Sequence, residues 1–598
     1  MMKMRQVLHR LLNDKKTLLV ALSVILVLVG VGSWYLVDSG VRKVLDYRSP
    51  YTFLIEPGFR SQPLAERLII VLIDGLQPRD FEAMLSVRDV AHRGVAISLE
   101  GSSGLGLLPA STVLFTGAPP EISGVAANWT EDEVMIDSLW SSARRARLGT
   151  AIIGDGRWKP LFGHLVVKAA YRRPDGKVPT SDINDAILRD AISEIREGSS
   201  QLVLVSFIPQ EDSPGSRTGS GRQRALRHET LANIDERLHS ILEEVDLSSS
   251  AVFFVSSGSY VTGNSLLRLF EKSGDALLVA AGAGIVTPED PGEAIQWIRG
   301  RLVDIAPTCT SLLGISMPTH SQGEVMYSLL DLPEHVMSEL AISQASARSA
   351  FAHNYMNTLQ RPVIEHRSLF DAFLLHNDGD YKNAAITAIN IDDEIISAMA
   401  NARSALIYAS SLPLLAAVGI VGILLIVVTT ILLERKTGDL APAVIGVFFY
   451  FTIYFGLMLI RGTLMSSGAI SSLSEFARSY QGRIMDSAGC MILTAVVIAW
   501  IVSERKDHYE RGQGFIDGLI SFCFVALALL VQVAVFIAGE GTGYALHLPG
   551  IDKAFKCFLC LIQLKVAGVL SPILSGLAEG VFLLLSKARS SGSDSESL

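Results

Sequence analysis

A carboxylate at the end of an apolar run is the first residue in this sequence placed to do chemistry. The run LIIVLID, residues 68–74, closes on Asp74-Gly75, and open α/β sheets keep their ligand chemistry at the carboxyl ends of the strands. On spacing alone, an Asp-Gly after a strand is more often a plain turn. Cys557 and Cys560 have C-x-x-C spacing, but they sit in the apolar run Phe-Lys-Cys-Phe-Leu-Cys-Leu-Ile. With no second pair to complete a tetrahedral site, they read as lipid-facing or packed thiols. Asn128-Trp129-Thr130 is an N-glycosylation sequon, usable only outside the cytosol. Residues 213–224, SPGSRTGSGRQR, form a basic Gly/Ser-rich stretch suited to a loop over such a site. It could attract an anionic headgroup or glycan, although a solvated loop is commoner.

The elements that must position these groups are divided between lipid and water. The chain has 598 residues, 49% hydrophobic and 19% charged, with mean hydropathy +0.37, too apolar for an ordinary soluble protein. A net charge of -9 argues against nucleic acid as a partner, because phosphate neutralisation needs clustered positive charge. All five cysteines except Cys309 fall in or beside apolar segments of the C-terminal third, so the water-soluble part can have no internal disulfide and relies on its core.

Residues 17–37 carry no charge and are long enough to cross a hydrocarbon core of about 30 Å. Lys3, Arg5, Arg10, Lys15 and Lys16 precede them. The positive-inside rule therefore holds the N-terminus in the cytoplasm and sends Asp38 onwards outside. The run could be a signal sequence, but it lacks an Ala-x-Ala cleavage site and is longer than a usual signal core, which favours an anchor. Apolar segments return at residues 406–433, 440–460, 488–502, 515–538 and 555–585, giving six helices in all. Basic residues at 435–436, at 505, 506 and 511, and at 587 and 589 fall where this topology requires them. Lys565 and Glu579, within the last segment, are expected to face the bundle interior or an interface, with snorkelling favoured over a headgroup pocket.

Between these segments the pattern changes. Continuous apolar runs at residues 68–74, 150–154, 202–208, 251–257 and 276–281 fit strands buried on both faces of a mainly parallel sheet. Helical stretches such as 136–146 and 225–245 separate them, which predicts a doubly wound α/β sheet. Residues 334–401 show helical apolar spacing around Val336, Leu340, Ala341 and Ile342, and later around Ile386, Ile389 and Ile391.

In order, LIIVLIDGLQPRDF, PASTVLFTGAPPEISGV, IDSLWSSARRARLGTAIIGDGRWKPLF, FIPQEDSPG and VDIAPTCTSLLGISMP resemble the type I phosphodiesterase/nucleotide pyrophosphatase branch of the alkaline-phosphatase superfamily. The resemblance covers about residues 68–330. It implies an alkaline-phosphatase-like sandwich whose site, in active relatives, holds two divalent metals and uses a Ser or Thr nucleophile to take a phosphoryl group. Paired cations would neutralise phosphate oxygens and clamp the attacking and leaving oxygens.

Measured against that pattern, Asp74 and Asp212 match two metal aspartates. The histidine partner of Asp212 would stand at Ser216, and an expected Asp-His pair is replaced by Ser257-Gly258. The nucleophile position, two residues before Pro109, is Leu107, and leucine cannot attack phosphorus. Ser102, Ser103, Ser111 and Thr112 are the nearby hydroxyls, of which Ser103 and Ser111 are the weak candidates. Ser111 and Thr112 look like ordinary helix residues. His320 reads as a surface turn. One hard cation such as Mg²⁺ or Ca²⁺ is the most that Asp74, Asp212 and Glu211 would support, so the paired zinc site is not expected to be intact.

The expected organisation is a cytoplasmic N-terminus (1–16), an anchor (17–37), an extracytoplasmic alkaline-phosphatase-like domain (38–333), a helical stalk (334–405), a membrane bundle of about five helices (406–586) and a disordered cytoplasmic tail (587–598). Two functions compete. One is a catalytically degenerate binding or assembly module at the cell envelope, whose partners are the bilayer and lipid or glycan headgroups or another membrane protein. The other is an active metal-dependent phosphodiesterase or phosphotransferase acting on such headgroups, a layout similar to that of membrane phosphoethanolamine transferases.

Overall fold

A computed structural model describes residues 14–73, 80, 83–101, 105–174, 177–208, 220–257, 276–288, 295, 297–362, 368–434, 440–461, 470, 472–504, 511–541 and 546–595, without the side chains of 220–228 and 588–595. Eight strands form one sheet: β1 (Arg67–Leu72), β2 (Val95–Glu100), β3 (Thr150–Asp155), β4 (Lys168–Arg172), β5 (Leu202–Ser206), β6 (Ser250–Ser256), β7 (Ala276–Gly282) and β8 (Trp297–Arg301), in the order β4-β3-β5-β1-β6-β7-β2-β8. Among the described residues only β7 runs against the rest. In the centre, Leu68 lies opposite Leu202 on one side and Ala251 on the other.

Side chains alternate across a strand, so each central strand feeds two cores. Leu68, Ile70, Leu72, Leu204 and Phe253 face one; Ile69, Val71, Val205 and Phe254 face the other. Burial on both faces is why these strands read as unbroken apolar runs. β4 and β8 are edge strands with exposed positions and no such run.

Helices cover both faces. Against the second core lie α2 (Leu85–His92), α5 (Thr180–Glu197) and α6 (Ser220–Leu242), α5 through Ile183, Ile187, Ala191 and Ile195, a stripe spaced by one turn. The first core is covered by α3 (Leu107–Thr116), α4 (Leu139–Arg145), α7 (Ile305–Leu312) and α8 (Glu334–Thr358). A reciprocal cap between Ser138 and Ser141 starts α4. The result is a three-layer α/β/α sandwich, the fold class the sequence predicts.

Among the described residues six helices are long and apolar enough to cross a membrane: α1 (Lys15–Leu45), α10 (Tyr381–Glu434), α11 (Ala441–Arg461), α12 (Leu473–Glu504), α13 (Gln513–Glu540) and α14 (Ile551–Ser595); α9 (Phe370–Asn377) precedes the last five in the return from the domain. Within the expected stalk, residues 334–405, Phe351, Tyr355, Ile391 and Ile395 belong to the first core, and α10 continues without a break from there to Glu434. The backbone of α14 is helical as far as Ser595.

Backbone contact ties α1 to α14. A Cβ on Gly568 would lie 2.5 Å from Gly30 N, and one on Gly30 2.7 Å from Val569 N, so the crossing admits only glycine. Lys565 and Glu579 are both half-buried and bonded to neighbouring helices. Lys565 Nζ donates to Tyr480 Oη at 3.0 Å and lies 4.6 Å from the centre of the Trp34 ring. Glu579 accepts from Gly512 N and Phe515 N, capping the start of α13. The Cys557 thiol is buried and Cys560 Sγ donates to Gln532 Oε1 at 3.0 Å, so both are packed free thiols.

Candidate functional site

Parallel strands bring their carboxyl ends to one edge, where β3, β5, β1 and β6 finish side by side. Leu72 stands opposite Ser206 and Val255, and Gly154 opposite Ser206. Gly154 has φ 136, and a Cβ there would fall 2.0 Å from the Ser206 carbonyl oxygen, so glycine is required for this approach. Among the described residues the Ser206 hydroxyl is buried without a hydrogen-bond partner. Asp155 ends β3 at the same edge, a carboxylate that the sequence reading passed over. It accepts from Arg157 N at 2.9 Å and Arg157 Nε at 2.7 Å, so its charge is already matched by a local guanidinium.

The β2 strand ends at this edge too, and α3 starts seven residues after it with Gly106 as N-cap and Leu107 as first helical residue. Gly106 brings no capping side chain. Asn128 supplies one from outside, its Oδ1 accepting from Leu108 N at 3.0 Å while its Nδ2 donates to Ile470 O at 2.9 Å. One side chain therefore caps the helix and fastens it to the segment before α12. Read as a sequon, this residue gave no sign of that role, which depends on a partner 342 positions away.

The hydroxyls of α3 serve the helix itself. Ser111 Oγ donates to Leu107 O and Thr112 Oγ1 to Leu108 O, each at 2.8 Å, and both residues are fully buried. This back-bonding is the usual fate of a helical hydroxyl. Asp74, Ser102, Ser103, Glu211, Asp212, Ser216 and Gly258 lie outside the described residues. So do residues 213–219 of the basic stretch. Ser257 is buried just past the end of β6.

His320 is corrected from a surface turn to a core residue, 4% exposed. It stacks on Phe53, meets Phe351 edge-on, and accepts at Nδ1 from the Asp137 backbone N–H at 3.3 Å. Burial lowers its pKa from the ordinary value, against the opposing pull of Asp137. Burial acts on Asp137 in the raising direction, but bonds from Arg145, Ser141 and Thr319 N outweigh it and hold the carboxyl below its usual range. This cluster adjoins the far end of α3, where Gln322 N donates to Gly117 O. It does not join the carboxyl edge.

Among the described residues no group of three or more His, Cys, Asp or Glu is placed to share a metal ion. The described donors at the edge are the serine hydroxyls and an Asp155 bonded to Arg157, while Asp74 and Asp212, the aspartates matched to the metal site, lie outside the described residues.

No family model matches the sequence, and a comparison with curated proteins finds no match. The chain is similar in structure to members of the alkaline-phosphatase superfamily. A superfamily protein from Vibrio parahaemolyticus is 13% identical over 50% of this chain and 79% of that one, with TM-score 0.33. A phosphonate monoester hydrolase from Agrobacterium radiobacter is 17% identical over 46% and 78%, with TM-score 0.34. The lipoteichoic acid synthase LtaP from Listeria monocytogenes is 13% identical over 48% and 80%, with TM-score 0.31.

Proposed function

We propose that this chain is a catalytically degenerate binding module, held at the outer face of a cell membrane. The observation that carries the reading is the head of α3. Leu107 occupies the position where the superfamily resemblance expects the nucleophile, and the next two hydroxyls on the helix are bonded to carbonyls one turn back. An acyl or phosphoryl acceptor needs a hydroxyl within reach of a base, and a leucine side chain offers none.

An even number of crossings by the six apolar helices would leave both termini on one side, and the basic residues that precede α1 and follow α10, α12 and α14 favour the cytoplasm for that side. The sandwich then stands in the extracytoplasmic space. Its metal content is at most one hard divalent cation held through Asp74 and Asp212.

The test is a hydrolysis screen of the full chain in detergent against aryl phosphodiesters, with Zn²⁺, Mn²⁺ or Mg²⁺ added, beside metal analysis. No turnover, and less than a stoichiometric pair of zinc ions, is the expected result. Metal-dependent turnover abolished by both Asp74→Ala and Asp212→Ala would establish instead an active phosphodiesterase or phosphotransferase on lipid or glycan headgroups.

A further inference from the structure

Several parts of the chain meet at His547, which stands just before α14: the one-turn helix at residues 120–123, α10, the end of α13 and the link from α1 to β1. From this geometry we infer that His547 is a proton-operated clasp between the helix bundle and the sandwich. With both ring nitrogens protonated it bonds Glu121 and holds residues 546–550 against the sandwich. As the neutral ring it lets that contact go.

The ring's surroundings fix its neutral form. Nε2 lies 2.7 Å from the backbone carbonyl oxygen of Glu540, which can only accept, so in the neutral ring Nε2 carries the hydrogen. Nδ1 then turns a lone pair towards Glu121 Oε2, 3.6 Å away. Two acceptors that face one another form no hydrogen bond, and the separation is too long for one. A proton taken from water onto Nδ1, with the Nε2 hydrogen kept, turns this contact into a charge-assisted N–H···O bond of about 2.8 Å.

Charge favours that step where burial opposes it. His547 is 2% exposed, which penalises a charge on the ring. Two carboxylates act in the other direction, Glu121 at Nδ1 and Glu540, whose carbonyl the ring bonds. The half-buried Arg403 guanidinium donates to Glu121 Oε2 at 2.8 Å. Lys553, bonded to Glu540, has a side chain 69% exposed, and Lys43 on α1 is exposed as well, so solvent screens both. A proton on His547 therefore balances the inner set, two carboxylates against two cations. Glu121 Oε1 is buried and accepts no hydrogen bond among the described residues, which leaves the carboxylate capacity for a further donor. Three phenols complete the joint. Tyr47 Oη donates to Glu121 O and Tyr51 Oη to Leu546 O, each at 2.7 Å, and Tyr355 stacks on Tyr51. Burial pushes all three phenols above their ordinary value, so they stay neutral, while imidazole is the side chain suited to changing charge between about pH 5 and 8.

A crevice between α1, α13 and α14 reaches the ring and gives solvent protons a route to it. The clasped joint holds its proton more tightly than the released one, so the clasp is present at low pH and is lost as pH rises. This concerns the joint between the two regions and stands whether or not the sandwich turns over a substrate.

Hydrogen–deuterium exchange of the full chain in detergent tests it, compared at about pH 5.5 and about pH 7.5 and corrected for the intrinsic pH dependence of exchange. Relative to the β5 core, peptides covering residues 546–550 should be roughly tenfold better protected at the lower pH. That sign is opposite to the loosening expected from His320, whose burial lowers its pKa. His547→Gln keeps a donor for the Glu540 carbonyl but takes no charge. It should show the weaker protection at both pH values, with the thermal midpoint at the higher pH unchanged. Equal protection of the wild type at both pH values, greater protection at the higher one, or a pH response that survives in folded His547→Gln would overturn the clasp. The wild-type comparison needs no variant, so it decides even if His547→Gln fails to fold.

Discussion

The sandwich and the helix bundle both bury charge, but they use it for different ends. In the sandwich, Arg348 is 3% exposed and donates to the carbonyls of Ser321 and Gly323 and to Asp392, which also accepts from Gln344. That network locks an irregular turn onto two helices. In the bundle, Glu579 terminates a helix and Lys565 bridges rings on α1 and α12. Water-facing folds need buried charge to hold segments that have no secondary structure of their own. The bundle has few such segments, and its charges clasp helices that already satisfy their backbones.

The largest effect should come from splitting the sandwich network. Asp392→Ala leaves the Arg348 guanidinium buried beside an empty space and should cost about 3–5 kcal/mol, read as a lowered thermal midpoint in detergent. Replacing both residues with Met and Leu should restore most of it. If the single substitution proves neutral, the network is not holding the turn.

Gly568→Leu attacks the bundle where backbones touch. Overpacking there should cost about 1–3 kcal/mol and separate α1 from α14, reported by loss of a disulfide engineered between those helices. Removing the cap with Glu579→Ala should cost about 1 kcal/mol; a loss as large as that of Asp392→Ala would erase the distinction between the two regions.

The pH dependence is subtler. His320 gives up its proton more readily folded than unfolded, because burial lowers its pKa. Its contribution is therefore complete above the ordinary histidine value of about 6.5 and is lost as pH falls from there through the folded value. The thermal midpoint of the wild type should drop on acidification through that window, and His320→Phe should drop less. Asp137, held low in the folded state, adds a further loss only at more acid pH. A smaller outcome concerns Asn128: with both ends of its amide bonded, the sequon should stay unmodified when the chain is expressed in a glycosylating host. A glycan found there by mass spectrometry would mean that the cap on α3 is open.

Much of the fold was legible because burial on both faces writes itself as unbroken apolar runs, as in β1, β5 and β6. Strand β4, with exposed Lys168 and Arg172, has no such signature. The six apolar helices were legible from length and composition alone. What stayed hidden depended on distant partners: Asn128 gains its role from Ile470, and His320 is buried by Phe53 and Phe351. Nor could periodicity show that the apolar segment starting near residue 406 is the lower half of a longer helix, because the amphipathic half packs on a soluble core and changes its pattern.

That helix has a mechanical consequence. With 54 residues, α10 is about 80 Å long, rooted in lipid at one end and wedged beneath the sheet at the other. A rod of this kind fixes the height and heading of the sandwich above the bilayer and denies it the free swivel of a tethered head. Pro413 is the one interior proline of the rod, and proline is where a helix bends. A tilt of the sandwich would therefore be felt in the bundle, and Pro413 is the position at which such a load would bend the rod first.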